Sequence, residues 1–313
     1  MKDKFDISVI VCCYNPDIQK LKKTINSIYN QKNSNFEVII ADDGSNENYY
    51  DSLANWIKEM NYKNCRFNFL TQNVGTIKNI ISAIEISQGK YVKTISPGDY
   101  FFDEFSMAKY IDTFEREQAD FVFSRAVYYC EDDILPSISP GNPTVFNNKY
   151  LLRKIVLFQD FILGATVAMK RELELTYLNE IKDKMKYLED VPLTFFSFLD
   201  GKKVYAISDN LIWYESGYGI STNSNLSKLL DNDYDSFFKY LKEKYPNNSI
   251  VKRSIKFFYC KDCPKLMRFI KRLFLSPVFI VDYFERKINR KKKNNKNESI
   301  NKLKKIIGNK YEV

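Results

Sequence analysis

The sequence contains no histidine. That absence excludes a Ser/His/Asp triad, a Cys/His dyad and any metal held by imidazole. General base work must fall to Asp, Glu, Lys or Tyr. No run of about 18 apolar residues occurs, so no helix is expected to span a membrane. The opening MKDKFD has no apolar stretch ahead of the first strand, and no secretory leader is expected. The 6 cysteines are scattered, with Cys12 and Cys13 inside an apolar run. That distribution suits a reducing cytoplasm and not a disulfide framework. No internal repeat is present.

What is present is a divided charge. The 313 residues are 44% hydrophobic and suffice for one large domain or a domain with an appendage. The net charge of +9 conceals two halves. Residues 239–313 hold 22 Lys and Arg against 6 Asp and Glu, while residues 1–238 hold 26 against 33. A mildly acidic body therefore carries a strongly basic tail, and such an asymmetry points to a partner.

Along the body, apolar runs rich in β-branched residues alternate with amphipathic stretches. DISVIVCCY (6–14), FEVIIA (36–41), 66–70 and 91–95 read as strands, and 18–30, 49–60 and 77–87 as helices. Strand and helix in alternation predict a parallel sheet covered on both faces. Right-handed crossovers would gather the strand ends, with Asn15, Asp42, Asp43 and Asp99, along one edge. Further on, 105–117 reads as a helix and 120–129 as a strand. The polar segment 131–148 reads as a loop, 161–169 as a strand or turn, and 173–186 and 193–199 as helices. A strand is expected at 203–207, and 211–214 leads into ESGYGISTN (215–223).

The stretch YVKTISPGDYFF (91–102) sets the functional question, because its Asp99 lies just past a strand end, where α/β sheets bind ligands. The other motifs each read two ways. Asp42-Asp43-Gly44-Ser45 is either a capped turn or a carboxylate site for a base or ribose. Asn73-x-Gly75 is either a turn or the opening of a helix toward a diphosphate. Glu189-Asp190 before Pro192 is either a helix start or a general base.

Taken in order, SVIVCCYN, FEVIIADDGS, QNVGTIKNIISAIEISQGKYV, the Asp99 turn and LEDVP resemble the family 2 inverting glycosyltransferases of GT-A fold, over about residues 5–222. The resemblance implies transfer of a sugar from a nucleotide-diphosphate sugar, a UDP-sugar being favoured, to an acceptor hydroxyl. It implies a GT-A-type, Rossmann-like, mostly parallel sheet flanked by helices. It further implies that Cys13, Tyr14 and Asn15 line the nucleotide pocket and that Asp42 and Asp43 contact the base and ribose. Asn73, Gly75 and Lys78 would lie beside the nucleotide, Asp190 would be the catalytic base, and 217–221 would close over the diphosphate. Such enzymes hold Mn²⁺ or Mg²⁺ with a D-x-D motif. Here the chain departs from the family, with Ser96-Pro97-Gly98-Asp99 where Asp-x-Asp-Asp is common. Three alternatives stay open: Asp99 holds the cation with Ser96 as a weaker partner, Lys78 or Lys93 neutralises the diphosphate instead, or metal and activity are both lost. The last alternative is a non-catalytic nucleotide-sugar-binding or scaffold protein.

These readings divide the chain into a transferase domain (1–225), a basic amphipathic helical region (226–290) and a flexible basic tail (291–313). Large apolar residues and cations interleave over 251–293, with Pro277 expected to split two helices. That pattern suits peripheral contact with an anionic membrane at its cytoplasmic face. The competing arrangement is a hairpin packed on the main domain. The membrane reading fits a family whose acceptors are often lipid-linked glycans. No nucleic-acid reading motif is present. Cys260-x-x-Cys263 has no partner pair for a metal.

Overall fold

The computed structural model describes residues 3–130, 133–134, 162–217, 228–275, 301 and 303. The parallel half of the sheet comes first: β1 (Phe5–Cys13), α1 (Ile18–Tyr29), β2 (Phe36–Asp42), α2 (Tyr50–Glu59), β3 (Cys65–Phe69), α3 (Thr76–Ile86) and β4 (Gly89–Ile95). Then follow β5 (Tyr100–Phe101), α4 (Ser106–Glu117), β6 (Phe121–Cys130), β7 (Asp133–Ile134), a 3₁₀ turn (Gly164–Thr166) and β8 (Val167–Lys170). The last elements are α5 (Arg171–Ile181), α6 (Asp190–Leu199), β9 (Val204–Glu215), α7 (Lys228–Lys244), α8 (Ser249–Tyr259) and α9 (Lys265–Leu275).

The strands form one sheet in the order β3-β2-β1-β4-β8-β6-β9-β5, with β7 pairing β6. Its long ladders, β1 with β2 and β4, β2 with β3, and β6 with β9, are parallel. Short antiparallel contacts join β8 to β4 and β6. The expected α/β sheet covered on both faces is therefore the observed one.

Each face of the sheet carries its own core. Ile7, Val9 and Val11 of β1 pack with Leu21, Ile25 and Ile28 of α1 and with α2 and α4. Ile10 lies on the opposite face with α3, α5, α6, α7 and α8. Period-2 alternation in β1 thus feeds both layers, which is why the strand reads as a continuous apolar run. The α1 start is fixed by Asp17, whose carboxylate accepts the Gln19 and Lys20 N–H groups.

The basic region is divided in the structure. Phe237, Phe238 and Leu241 of α7 and Val251 and Phe258 of α8 join the core beside Phe195 and Phe196 of α6. α9 buries none of its residues. The break between α8 and α9 falls at 260–264, and Pro277 lies outside the described residues. Farther along, Leu303 is buried against Tyr100, Val127, Tyr129 and Trp213. All 6 cysteines are free thiols.

Candidate functional site

β1 has β2 on one side and β4 on the other, so chain direction across the sheet reverses between β1 and β4. A crevice outside the carboxyl ends of these strands follows from that reversal. The expected edge residues meet around it.

On the β1–β2 side, Tyr14 is half-exposed and Asn15 adopts the left-handed φ of 47°. The Asn15 N–H donates to Ser45 Oγ (2.7 Å), and its side-chain oxygen accepts the Asn46 N–H (2.8 Å). The Cys13 side chain turns into the core, where burial pushes its thiol pKa up. Asp42 accepts the Ser45 N–H, the Ser45 hydroxyl and the Tyr49 hydroxyl (2.5–2.8 Å). Asp43 accepts the N–H groups of Val74 (2.8 Å) and Gly75 (2.9 Å). Burial raises the Asp43 pKa, against the pull of those two donors. Both carboxylates thus organise loops: Asp42 its own turn, Asp43 the start of α3. At that start Gly75 has φ of 92°, and a Cβ there would strike the Lys186 side chain. Asn73 is half-buried just ahead of it. Lys78 lies in the first turn of α3 and pairs with Asp183 (3.1 Å).

On the β4 side, Ser96 is exposed and its carbonyl accepts the Asp99 N–H, closing the turn. Thr24 of α1 pins this turn by accepting the Gly98 N–H and donating to the Asp99 carbonyl, both at 3.0 Å. The Asp99 carboxylate is buried and accepts the Glu215 N–H (3.0 Å). Burial pushes its pKa up to about 7, against that donor and the nearby Lys93 ammonium. Glu215, at the end of β9, pairs with Lys20 (2.6 Å). Lys93 is fully buried and donates to the carbonyls of Thr94 and Ala165 (2.6 Å each).

Asp190 opens α6 and accepts its neighbour Val191's N–H (2.8 Å). It lies against the 3₁₀ turn, where a Cβ on Gly164 would come within 2.9 Å of Asp190 Oδ2. Ala165 of the same turn takes the Lys93 ammonium, which links Asp190 to β4 and Asp99. Burial, then the Asp190 charge, push the Glu189 pKa up.

Sequence reasoning missed Lys20, Lys186, Glu215 and Asp233. Asp233 of α7 accepts the N–H groups of Lys186, Tyr187 and Leu188, which lead into Glu189. None lies in a recognisable motif; only Glu215 had a signal, as the first residue of the ESGYGISTN stretch. The 218–223 part of that stretch lies outside the described residues. Among the described residues no three Asp, Glu, Cys or His groups gather for a metal. Two carboxylates, Asp99 and Glu215, meet at the turn, and an oxygen-only pair with substrate phosphates suits Mg²⁺ or Mn²⁺.

Sheet order and flanking helices define an α/β class with a crevice at β1 and β4, and the solved structures place the fold further. S. aureus TarS 1–349 in complex with UDP-GlcNAc superposes with a TM-score of 0.54 at 14% identity, covering 98% of this chain and 90% of that one. The same protein in complex with UDP gives 0.52 at 13% identity over the same shares. The fold is GT-A-like. The sequence model of glycosyl transferase family 2 matches residues 8–172, and the chain belongs to that family. An Escherichia coli relative, the UDP-Glc:alpha-D-GlcNAc-diphosphoundecaprenol beta-1,3-glucosyltransferase WfaP, is 26% identical over 147 residues, 47% of this chain and 55% of that one. An uncharacterised glycosyltransferase of Methanocaldococcus jannaschii is 32% identical over 99 residues, 31% of this chain and 33% of its own length. The matched segments thus span about half and a third of these relatives.

Proposed function

We propose that this glycosyltransferase moves a sugar from a nucleotide-diphosphate sugar, a UDP-sugar, to a hydroxyl of a glycan or lipid-linked acceptor, with inversion. The carrying observation is the link from Asp190 through the Gly164–Thr166 turn and Lys93 to Asp99. It ties a base candidate to the crevice where such sheets take nucleotides. Asp190 accepts the acceptor's proton as that oxygen attacks the anomeric carbon and the bond to the diphosphate breaks. The nucleotide lies across the ends of β1 and β2 and the start of α3, with Tyr14 and Asn15 on its rim. A cation, Mn²⁺ or Mg²⁺, would neutralise charge on the departing diphosphate, and Asp99 is the turn's oxygen donor toward it. The UDP and UDP-GlcNAc bound in the TarS structures and the UDP-Glc in the E. coli relative's name support UDP. The relative's diphosphoundecaprenol acceptor supports a surface polysaccharide or glycoconjugate as the product class.

Basic, apolar-faced α9 supports peripheral contact with an anionic membrane at the cytoplasmic face. Asp190→Asn should lower transfer by about two to four powers of ten while calorimetric donor binding persists. Loss of binding together with transfer would remove Asp190 from the base role. A second reading, a non-catalytic nucleotide-sugar binder, draws on the acid-poor turn at 96–99. Donor hydrolysis on adding Mn²⁺ separates the two.

A further inference from the structure

The turn that keeps a single carboxylate, Asp99, has no empty space at Gly98. Gly98 has φ of 101°, and a Cβ built there would lie 2.2 Å from Glu215 Oε2. The volume a side chain at 98 would enter is therefore already filled by a carboxylate from another strand. Three contacts hold it there. β9 pairs with β6 so that Glu215 lies opposite Tyr129. The Tyr129 hydroxyl donates to the Gly98 carbonyl. The Glu215 N–H donates to Asp99 Oδ1 at 3.0 Å.

Glu215 is only 7% exposed, and a carboxylate so buried needs a counter-charge. Lys20, in the first turn of α1, supplies it at 2.6 Å and keeps about a quarter of its own side-chain surface open, 27%. The two lysines that the sequence offered as an alternative for the diphosphate are engaged elsewhere: Lys93 inside the sheet, Lys78 with Asp183.

We propose that Glu215 supplies the second carboxylate of a divalent-cation site at the diphosphate, replacing the acid missing at position 98, with Lys20 as its counter-ion when no cation is bound. This rests on the donor reading above. Two carboxylates are enough for such a cation only when phosphate oxygens complete the shell. Lys20 competes for one of the two, so the protein alone binds the cation weakly and the nucleotide diphosphate recruits it.

The test is calorimetric binding of UDP, GDP and CDP, each with Mn²⁺ and with EDTA, to wild type, Glu215→Gln and Lys20→Met. Thermal melts check that each variant is folded, and electron paramagnetic resonance reads bound Mn²⁺ directly. Wild type should bind one nucleotide about tenfold or more tightly with Mn²⁺ than with EDTA. Glu215→Gln should lose that gain and the bound-Mn²⁺ signal while keeping the affinity seen in EDTA. Lys20→Met should keep the gain or enlarge it. An unchanged gain in Glu215→Gln overturns the proposal. So does wild-type binding that ignores EDTA, and collapse of EDTA binding in Lys20→Met would then make the lysine the resident charge. Failure of all three nucleotides to bind in either condition overturns the donor reading as well.

Discussion

At the scale of single residues, the unusual feature is charge inside the sheet. Lys93 and Glu174 are both buried, and Asp99, Cys12 and Glu189 face the same interior. Burial pulls the Lys93 pKa down to about 8 and pushes the Glu174 pKa up to about 8. The sign of the consequence for Glu174 is fixed. Below its ordinary value of 4.5 both folded and unfolded chains hold the proton. Above it the unfolded chain ionises while folded Glu174 stays protonated, so stability falls with rising pH until about pH 8, where the folded group titrates too. The slope from this group reaches about 1.4 kcal/mol per pH unit. Lys93 acts with the opposite sign above its folded pKa, while the raised acids Asp99 and Glu189 act with the same sign below 8, so the share of Glu174 is read by substituting it. Urea midpoints at pH 5 and pH 8 should lie closer together in Glu174→Gln than in wild type. An unchanged separation would mean that Glu174 is ionised in the folded protein.

At the scale of elements, Asp190, the proposed base, is held by a helix that follows it in sequence by some forty residues. Asp233 of α7 is 7% exposed and gathers three consecutive N–H groups from 186–188, just before Glu189 and Asp190. α7 is itself anchored by Phe237 standing edge-on to Phe195 of α6 (5.2 Å). Asp233→Ala leaves those donors without their carboxylate and should cost about 3 kcal/mol of stability. Where the variant still folds, kcat should drop while the donor KM holds, because the proposed base and not the donor pocket loses its support. A fall in stability with kcat intact would leave Asp233 a purely structural brace.

The same scale explains what the sequence made legible. Apolar runs and helix periodicity located β1 to β4 and α1 to α3 within a residue or two, because each is a local pattern. Only the first part of β9, 203–207, read as a strand, because Ser208 and Asp209 look like a turn; in the sheet they are exposed positions of one long strand whose pairing to β6 slips register between Phe123 and Ala126. α7 went unseen as a separate helix. Of the site, the carboxylates at strand ends were legible as residues but not as partners. Whether Asp42 served a turn or a ligand depended on Tyr49 and Ser45 closing on it. That Glu215 fills the place beside Gly98 depends on strand pairing across more than a hundred residues, which no local pattern encodes.

At the scale of the whole molecule, charge and exposure coincide on α9. Leu266 and Phe274 are 73% and 83% exposed, and Lys265, Arg268, Lys271 and Arg272 share the helix. Among the described residues no helix is long and apolar enough to cross a membrane, so contact with lipid would be made along such a surface. Vesicles containing phosphatidylglycerol should sediment the protein at low salt, and Leu266→Glu with Phe274→Glu should abolish this with no change in melting temperature. Equal sedimentation with neutral vesicles would remove the electrostatic part of the contact.

Leu303 gives the fold a timetable. Its side chain covers Tyr100, Val127, Tyr129 and Trp213, and of these Tyr129 reaches the Gly98 carbonyl. During synthesis the ribosome delivers Trp213 ninety residues ahead of that cover, an interval on the order of ten seconds at ordinary elongation rates. For that time the nascent chain displays an aromatic cluster with its cover still missing, while the first-made half of the sheet is already whole. A chaperone that binds aromatic surface would find its target in that interval, and translation slowed between the two residues would lengthen it.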